Sequence, residues 1–268
     1  MNNYILNLLQ IPYRNIRKNP VYSFISIFGF TLGITAALLI YLWVNRENSF
    51  DTFHSGTDRI YRVLTLKKNG DKLEKSPSSY PYLARRLKTD YPQIEKATYL
   101  TYSSEDSPLQ IEGSNVKIEA RKLYVSNNFF DIFDGLRFVE GNAEMALKNP
   151  NAIVLNEITA KKLFGNQPAL GKTIVSDKYF KNIYTVTAVV HIPKNSHIDF
   201  GYILPPNKKN ERYARDFRLS YHTHTYIKLA ENAVINDSFT QSISNYVTEH
   251  SGNSEQLLFQ PLTDIHLH

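Results

Sequence analysis

The sequence predicts an α+β protein carried on one membrane-spanning helix, and three observations lead to that reading. Val21 to Val44 contains neither a charged residue nor a proline. Beyond it, short strand signals alternate with short helix signals and turn clusters as far as the last residues. The chain has no cysteine, so the portion outside the apolar run depends on an ordinary core rather than on disulfides. Roughly 220 residues are ample for one.

As a helix rising about 1.5 Å per residue, Val21–Val44 reaches roughly 36 Å, enough to cross a hydrocarbon core of about 30 Å with some tilt. A secretory signal would have an apolar core of only about 7 to 15 residues leading to small residues at a cleavage site. Here the run closes on Tyr41, Leu42, Trp43 and Val44, which suit an interfacial anchor, with Tyr22 near the other interface. The helix is therefore expected to stay uncleaved. Arg14, Arg17 and Lys18 precede it without an acid, against Arg46 and Glu47 after it, so the positive-inside bias places the amino terminus in the cytoplasm. The same three cations account for much of the formal net charge of +6, which could otherwise point to nucleic acid. The rest of the chain is close to charge balance, and no nucleic acid is expected as a partner.

In residues 3–11, Ile5, Leu8 and Leu9 share one helical face and Pro12 ends it. This segment reads as a short amphipathic helix flat on the inner membrane surface, with Arg14, Arg17 and Lys18 near lipid headgroups, or as a frayed polar tail, since so short a helix has little stability alone. Within the apolar run, Gly29, Gly33 and Ala37 recur every fourth residue. They form a smooth stripe on which another membrane helix could pack, although glycine is common enough in such helices to arise there by coincidence.

After Val44 a polar, turn-rich link leads to a strand from Ile60 that ends at Asn69-Gly70, a strong hairpin signal. Pro81 opens a helix over YLARRLKTDY, closed by Pro92, and Ile94 to Thr101 alternates as a second strand. From Ser103 short strands are expected at Leu109–Ile111, Asn115–Tyr124, Leu136–Val139 and Ala152–Leu155, with a helical turn at Asn127–Phe133. Asn156 caps a helix, EITAKKLF, that stops at Gly165. Lys172–Val175 and Tyr179–Val190 read as a hairpin. A strand at Ser220–Leu229, a helix at Asp237–His250 capped by Asp237 or Ser238, and a strand at Gln256–Pro261 complete the order.

No stretch presents a convincing catalytic constellation. Gly165 to Gly171, followed by Lys172 and Thr173, resembles a phosphate loop, but five residues separate the glycines where four are required, and a helix precedes the loop where a strand should. His222 with His224, and His266 with His268, are spaced to share one face of a strand, without a third metal ligand at a recognised spacing. Surface or hydrogen-bonded histidines fit better than a metal site. Ser196, His197 and Asp199 are sequence neighbours only, and a triad is assembled in space. The rings of FFDIF, Phe129 to Phe133, read as core rather than as a ligand platform.

Several phrases in order nevertheless resemble one family: RNIRKNPVYSFISIFGFTLGITAALLIYLWV, FDTFHSGTDRIYRV, YVSNNFFDIF, AIVLNEITAKKLFGNQPALGKTI, IPKNSHIDF and PLTDIHLH. The chain is similar to permease subunits of ABC transporters of the MacB/FtsX type, with their membrane-distal periplasmic core domain. The resemblance implies cytoplasmic residues 1–20, a membrane helix at 21–44 and a periplasmic two-subdomain α+β domain at 45–268. In that arrangement residues 45–102 and 180–268 form a porter-like β-α-β subdomain, and residues 103–179 are a mostly β insertion. It also implies a non-enzymatic inner-membrane protein without a cofactor, working as a dimer of permease subunits with a separate cytoplasmic ABC ATPase that binds ATP. Lipoprotein or peptide cargo, or a periplasmic adaptor, is the implied outer partner. Such permeases have three further membrane helices, and PLTDIHLH resembles the lead-in to the second, so a fragment is expected. The competing reading is a single-pass sensor whose outer domain binds a ligand, which needs a cytoplasmic effector that residues 1–20 are too short to supply. A membrane-anchored hydrolase fits least, for want of motifs.

Overall fold

In a computed structural model, residues 14, 16–69, 72–80, 82–176, 182–206, 223–251 and 256–266 are described. The segment 3–11, Gly70, Pro81, His222 and His268 lie outside them. The chain forms two compact units, residues 1–49 and residues 50–268.

The first unit is built on α1 (Pro20–Glu47), which contains the whole expected membrane run. Pro20 suits the first turn, where its missing N–H would be unpaired in any case. No residue of α1 is buried, and the helix is long and apolar enough to cross a membrane. The two threonines inside the run turn their hydroxyls inward. Thr31 donates to the Ile27 carbonyl at 2.8 Å and Thr35 to the Thr31 carbonyl at 2.7 Å, so both hydroxyls are satisfied within the helix.

The second unit begins with β1 (Ile60–Asn69), β2 (Lys72–Ser76), α2 (Leu83–Asp90) and β3 (Ile94–Tyr102). It ends with β12 (Thr223–Leu229), α6 (Asp237–Ser251) and β13 (Gln256–Pro261). These strands pair antiparallel in the order β13-β1-β12-β3, with β2 folded back on the far half of β1. Two split β-α-β units interlock: β12 separates β1 from β3, and β1 separates β12 from β13. Every second strand residue meets the helices. Val63, Ile94, Ile227 and Leu257 pack with Leu83 and Leu87 of α2 and with Phe239, Ile243 and Val247 of α6 in one core. The cap of α6 is Asn236, whose side chain accepts the Phe239 N–H at 2.8 Å, rather than Asp237 or Ser238.

Between β3 and β12 lie β4 (Ser107–Ile111), β5 (Lys117–Ala120), β6 (Lys122–Val125), α3 (Phe129–Ile132), β7 (Arg137–Glu140) and α4 (Ala143–Ala146). They are followed by β8 (Ala152–Asn156), α5 (Glu157–Phe164), β9 (Thr173–Ser176), β10 (Asn182–His191) and β11 (Tyr202–Leu204). The ladder continues from β3 through β6, β11, β8, β10, β9 and β4 to β5, and β7 pairs with the end of β10. α5 has the expected bounds. Asn156 accepts the Thr159 N–H at 2.7 Å, and Gly165 ends the helix at φ 63, where a side chain would be strained.

One further expectation changes. Asn115–Tyr124 is two strands, because the chain turns between them at Arg121, whose carbonyl accepts the N–H groups of Gly201 and Tyr202. β5 then leaves for β4 while β6 joins β3. β10 pairs with β7, β8 and β9, and β11 with β6 and β8, while β12 pairs with β1 and β3. Residues 50–268 cluster as one compact unit. Its central core joins Ile60, Leu100 and Tyr226 of the first sheet to Leu123, Val125, Ala188, Val190 and Ile203 of the middle region.

Candidate functional site

The most distinctive chemistry of the outer unit lies in its first residues, Phe50–Thr57, a strap held by segments distant in sequence. Phe50 is buried and its ring stacks on His266, with centroids 3.4 Å apart and planes 9° apart. The beginning of the unit and its last described residue are thus in contact. Asp51 follows in the left-handed region, φ 56, which an aspartate tolerates better than most residues. Its N–H donates to the Asn195 carbonyl at 2.9 Å, and its fully buried carboxylate accepts the His197 N–H at 3.1 Å. His197 Nδ1 also lies 2.8 Å from Asp51 Oδ2, at ion-pair distance but out of line for a hydrogen bond. The other nitrogen of His197, Nε2, is 2.9 Å from the Tyr226 hydroxyl on β12. A buried carboxylate needs hydrogen-bond donors, and this one has the His197 N–H.

His54 completes the cluster. Its Nδ1 accepts the Gly135 N–H at 3.0 Å, while Ser55 N–H donates to Asp134 at 2.8 Å and the Lys228 ammonium donates to the Ser55 carbonyl. Phe133 fills the space between the rings of His54 and Tyr226, with centroids 5.3 and 5.1 Å away. Burial pushes His54 down to about 4 from 6.5, against the attraction of Asp51 and Asp134 and with the repulsion of His197 and Lys228. Burial likewise holds the Tyr226 phenol far above its ordinary value and pushes Tyr102 up to about 12. The buried members of the cluster, Asp51, His54 and Tyr226, tie the strap to the body of the unit.

Each residue singled out in the sequence now has a place. Arg14, Arg17 and Lys18 are exposed ahead of α1. Gly29, Gly33 and Ala37 lie on exposed α1, and an added Cβ at either glycine would meet nothing within 4 Å. Of the Ser196, His197 and Asp199 neighbours, Ser196 bonds its own loop at the Ile198 carbonyl, Asp199 pairs with Arg121 at 3.1 Å, and only His197 enters the buried cluster. His224 packs edge-on against Tyr102, and among the described residues no three His, Asp or Glu side chains could hold a metal ion. Phe129, Phe130 and Phe133 are buried in the central core. The Gly165–Gly171 loop does bind an anion with its backbone, but the anion is the protein's own: Ala169 and Leu170 N–H groups donate to the Glu140 carboxylate at 2.9 and 2.7 Å.

Asp51 and His54 escaped the sequence reading because they sit in what looked like a polar link. The available signal was the Phe-Asp and Phe-His pairs, in which large apolar residues flank each polar one where a solvated linker has no use for them.

Among the described residues, one helix long and apolar enough to cross a membrane, followed by interlocked split β-α-β units with a β-rich insertion, defines a membrane-anchored α+β domain. The profile of the MacB-like periplasmic core domain family matches residues 23–249, and the chain belongs to that family, the extracytoplasmic part of ABC transporter permeases. Among curated proteins none matches. Solved structures share the fold. A domain of a presumed permease from Porphyromonas gingivalis aligns with a TM-score of 0.65 at 21% identity, over 78% of this chain and 91% of that one. The periplasmic region of MacB from Actinobacillus actinomycetemcomitans aligns at 0.54 and 17%, again over 78% and 91%. The extracellular domain of YknZ, a noncanonic ABC-type transporter from Gram-positive bacteria, aligns at 0.52 and 12%, over 75% and 99%.

Proposed function

We propose that this chain is the membrane-anchored outer portion of a non-catalytic permease subunit, which passes motion driven by a cytoplasmic ABC ATPase to the extracytoplasmic domain. The observation that carries this reading is the contact of Phe50 with His266. A domain driven by membrane helices needs its entering and leaving segments at one place, and the strap supplies that place. In this reading the amino terminus is cytoplasmic, residues 45–268 are periplasmic and the membrane is the inner one. ATP is bound by the separate ATPase, and this chain needs no cofactor. A second permease subunit packs against α1 along Gly29, Gly33 and Ala37, and the work done is efflux or the handling of lipoproteins or peptides, with or without an adaptor.

The direct test is to purify the tagged chain from its native membrane in mild detergent. An ABC ATPase with a true phosphate loop should co-purify. Recovery with a signalling effector instead would replace transport by sensing. Gly29→Leu with Gly33→Leu should leave membrane insertion intact, because nothing lies within 4 Å of either added Cβ, yet reduce recovery of the partner. Undiminished recovery would make the stripe incidental.

A further inference from the structure

Two strands end the path of the sheet, β13 and β5, and among the described residues each pairs on one side only. At β13 the open side is closed off. The Leu257 N–H is taken by the Ser244 hydroxyl of α6 at 3.0 Å, and Pro261, four residues on and so on the same side of the strand, has no N–H. At β5 the open side is free. Lys117 and Glu119 lie opposite Gln110 and Pro108 of β4. Proline cannot donate, and the bond from the Ile111 N–H to the Val116 carbonyl at 3.3 Å sets the β4–β5 hydrogen bonds at residues 116, 118 and 120. The N–H and C=O of Lys117 and Glu119 therefore point away from β4. Their side chains are exposed, on the face opposite Ile118 and Ala120, which pack in the core shared with Ala160 and Leu163 of α5. Among the described residues neither charge has an ion-pair partner.

We propose that β5 is a contact between two copies of this chain, the edge strands meeting antiparallel about a twofold axis at Ile118. In that register Lys117 faces the partner's Glu119 and Glu119 faces the partner's Lys117, so both unpaired charges are matched at once. The opposed residues are also the ones whose backbone groups point outward, and they form hydrogen-bonded pairs, each exchanging two bonds. Ile118 meets the partner's Ile118 as a non-hydrogen-bonded pair, with Cα atoms about 4.5 Å apart. Slipping by one residue opposes outward groups to inward ones, and slipping by two sets Lys117 against the partner's Lys117 or Glu119 against the partner's Glu119. A short charged strand guards a sheet edge against arbitrary partners, and this one complements its own copy in a single register. A contact of four residues is far smaller than a standard interface and holds only between chains that something else brings together, which here is anchoring by α1 in one membrane. The contact presupposes the second permease subunit proposed above and makes it a second copy of this chain.

Single cysteines in a chain that has none, oxidised with copper phenanthroline in native membranes, read the register directly. Ile118→Cys should cross-link to a dimer at about ten times the yield of Lys117→Cys, whose counterpart lies two residues out of register, or of Phe259→Cys on the closed β13 edge. Lys117→Glu sets like charges in both pairs and should lower the Ile118→Cys yield about tenfold, and adding Glu119→Lys should restore it. Equal yields at 117 and 118, a Phe259→Cys yield matching that of Ile118→Cys, or a charge swap that restores nothing overturns the contact. A chain that does not cross-link yet co-purifies with the ATPase sinks the contact alone; one that cross-links without the ATPase sinks the transport reading alone. Ile118 is half-buried, so if Ile118→Cys fails to accumulate, a copy carrying Lys117→Cys co-expressed with a differently tagged copy carrying Glu119→Cys decides. Their opposed Cα atoms would lie about 5.5 Å apart, within disulfide reach, and a mixed dimer no more abundant than either self-dimer overturns the contact.

Discussion

Gly135→Ala probes whether the strap can yield. The added methyl would sit 2.3 Å from the Phe53 carbonyl oxygen, 2.6 Å from Phe53 Cδ2 and 2.7 Å from its carbonyl carbon. Two of these are backbone atoms, so no side-chain rotation relieves the overlap. The strap must shift, and shifting it opens the bond from Gly135 N–H to His54, leaving a buried donor and acceptor unpaired. Overpacking costs about 1–3 kcal/mol and an unsatisfied buried group a similar amount, together about 2–5 kcal/mol. For an outer unit of this size, each kcal/mol lowers the melting temperature by about 2–4 °C, so a drop of about 4–20 °C is expected. Circular dichroism melts of the full chain in detergent measure it; intrinsic tryptophan fluorescence would not, because the one tryptophan, Trp43, lies in α1. Gly113→Ala separates conformation from crowding, since Gly113 has φ +75 and nothing within 4 Å. That change should cost only about 1 kcal/mol. A Gly135→Ala protein that melts no lower than Gly113→Ala would show that the strap gives way freely and would refute the reasoning.

Acid should weaken the outer unit through His54. Its folded value of about 4 lies below the unfolded 6.5, so on acidification the unfolded chain takes up the proton first. Stability is full above pH 6.5 and declines toward pH 4; at pH 4.5 the loss attributable to His54 is about 2–3 kcal/mol, measured as the difference between wild-type and His54→Asn denaturant midpoints across pH. An identical pH dependence in both proteins would assign the effect elsewhere. Asn156→Ala removes both the cap on Thr159 N–H and the bond to the Phe200 carbonyl at 2.6 Å, and should cost about 1–3 kcal/mol by chemical denaturation. A change within about 0.5 kcal/mol would mean that water replaces both bonds.

Elements with local signals were legible in the sequence. The run Val21–Val44, the alternation of β1 and β3, the cap Asn156 and the stop Gly165 all act through residues at most a few positions apart. β10 shows where legibility ends. Its β-branched run announces a strand, but whether it joins the first sheet or the middle one is decided by its partners β7, β8 and β9. The Gly165–Gly171 loop shows the same limit for a site: its spacing excluded phosphate, yet nothing local disclosed that Glu140, 29 residues before Ala169, fills the anion's place. Asp51 and His197 lie 146 residues apart, so neither announces the other.

The phrases that gave the family resemblance owe their effect to that same distance. FDTFHSGTDRIYRV supplies Phe50, Asp51 and His54; IPKNSHIDF supplies Asn195 and His197; YVSNNFFDIF supplies Phe133; PLTDIHLH supplies His266. The fold gathers all four around the first residues of the outer unit. The first residues of the outer unit are fixed by segments that arrive later in the chain. Fixing them with a buried carboxylate makes the arrangement interdependent: without the 195–197 backbone, Asp51 would lose its hydrogen-bond partners, and leaving a buried polar group unsatisfied costs about 1–3 kcal/mol. A hydrophobic strap could be altered one residue at a time with modest loss. In this one the loss of Asp51 also strips the His197 N–H of its acceptor, so the cost falls on two segments at once.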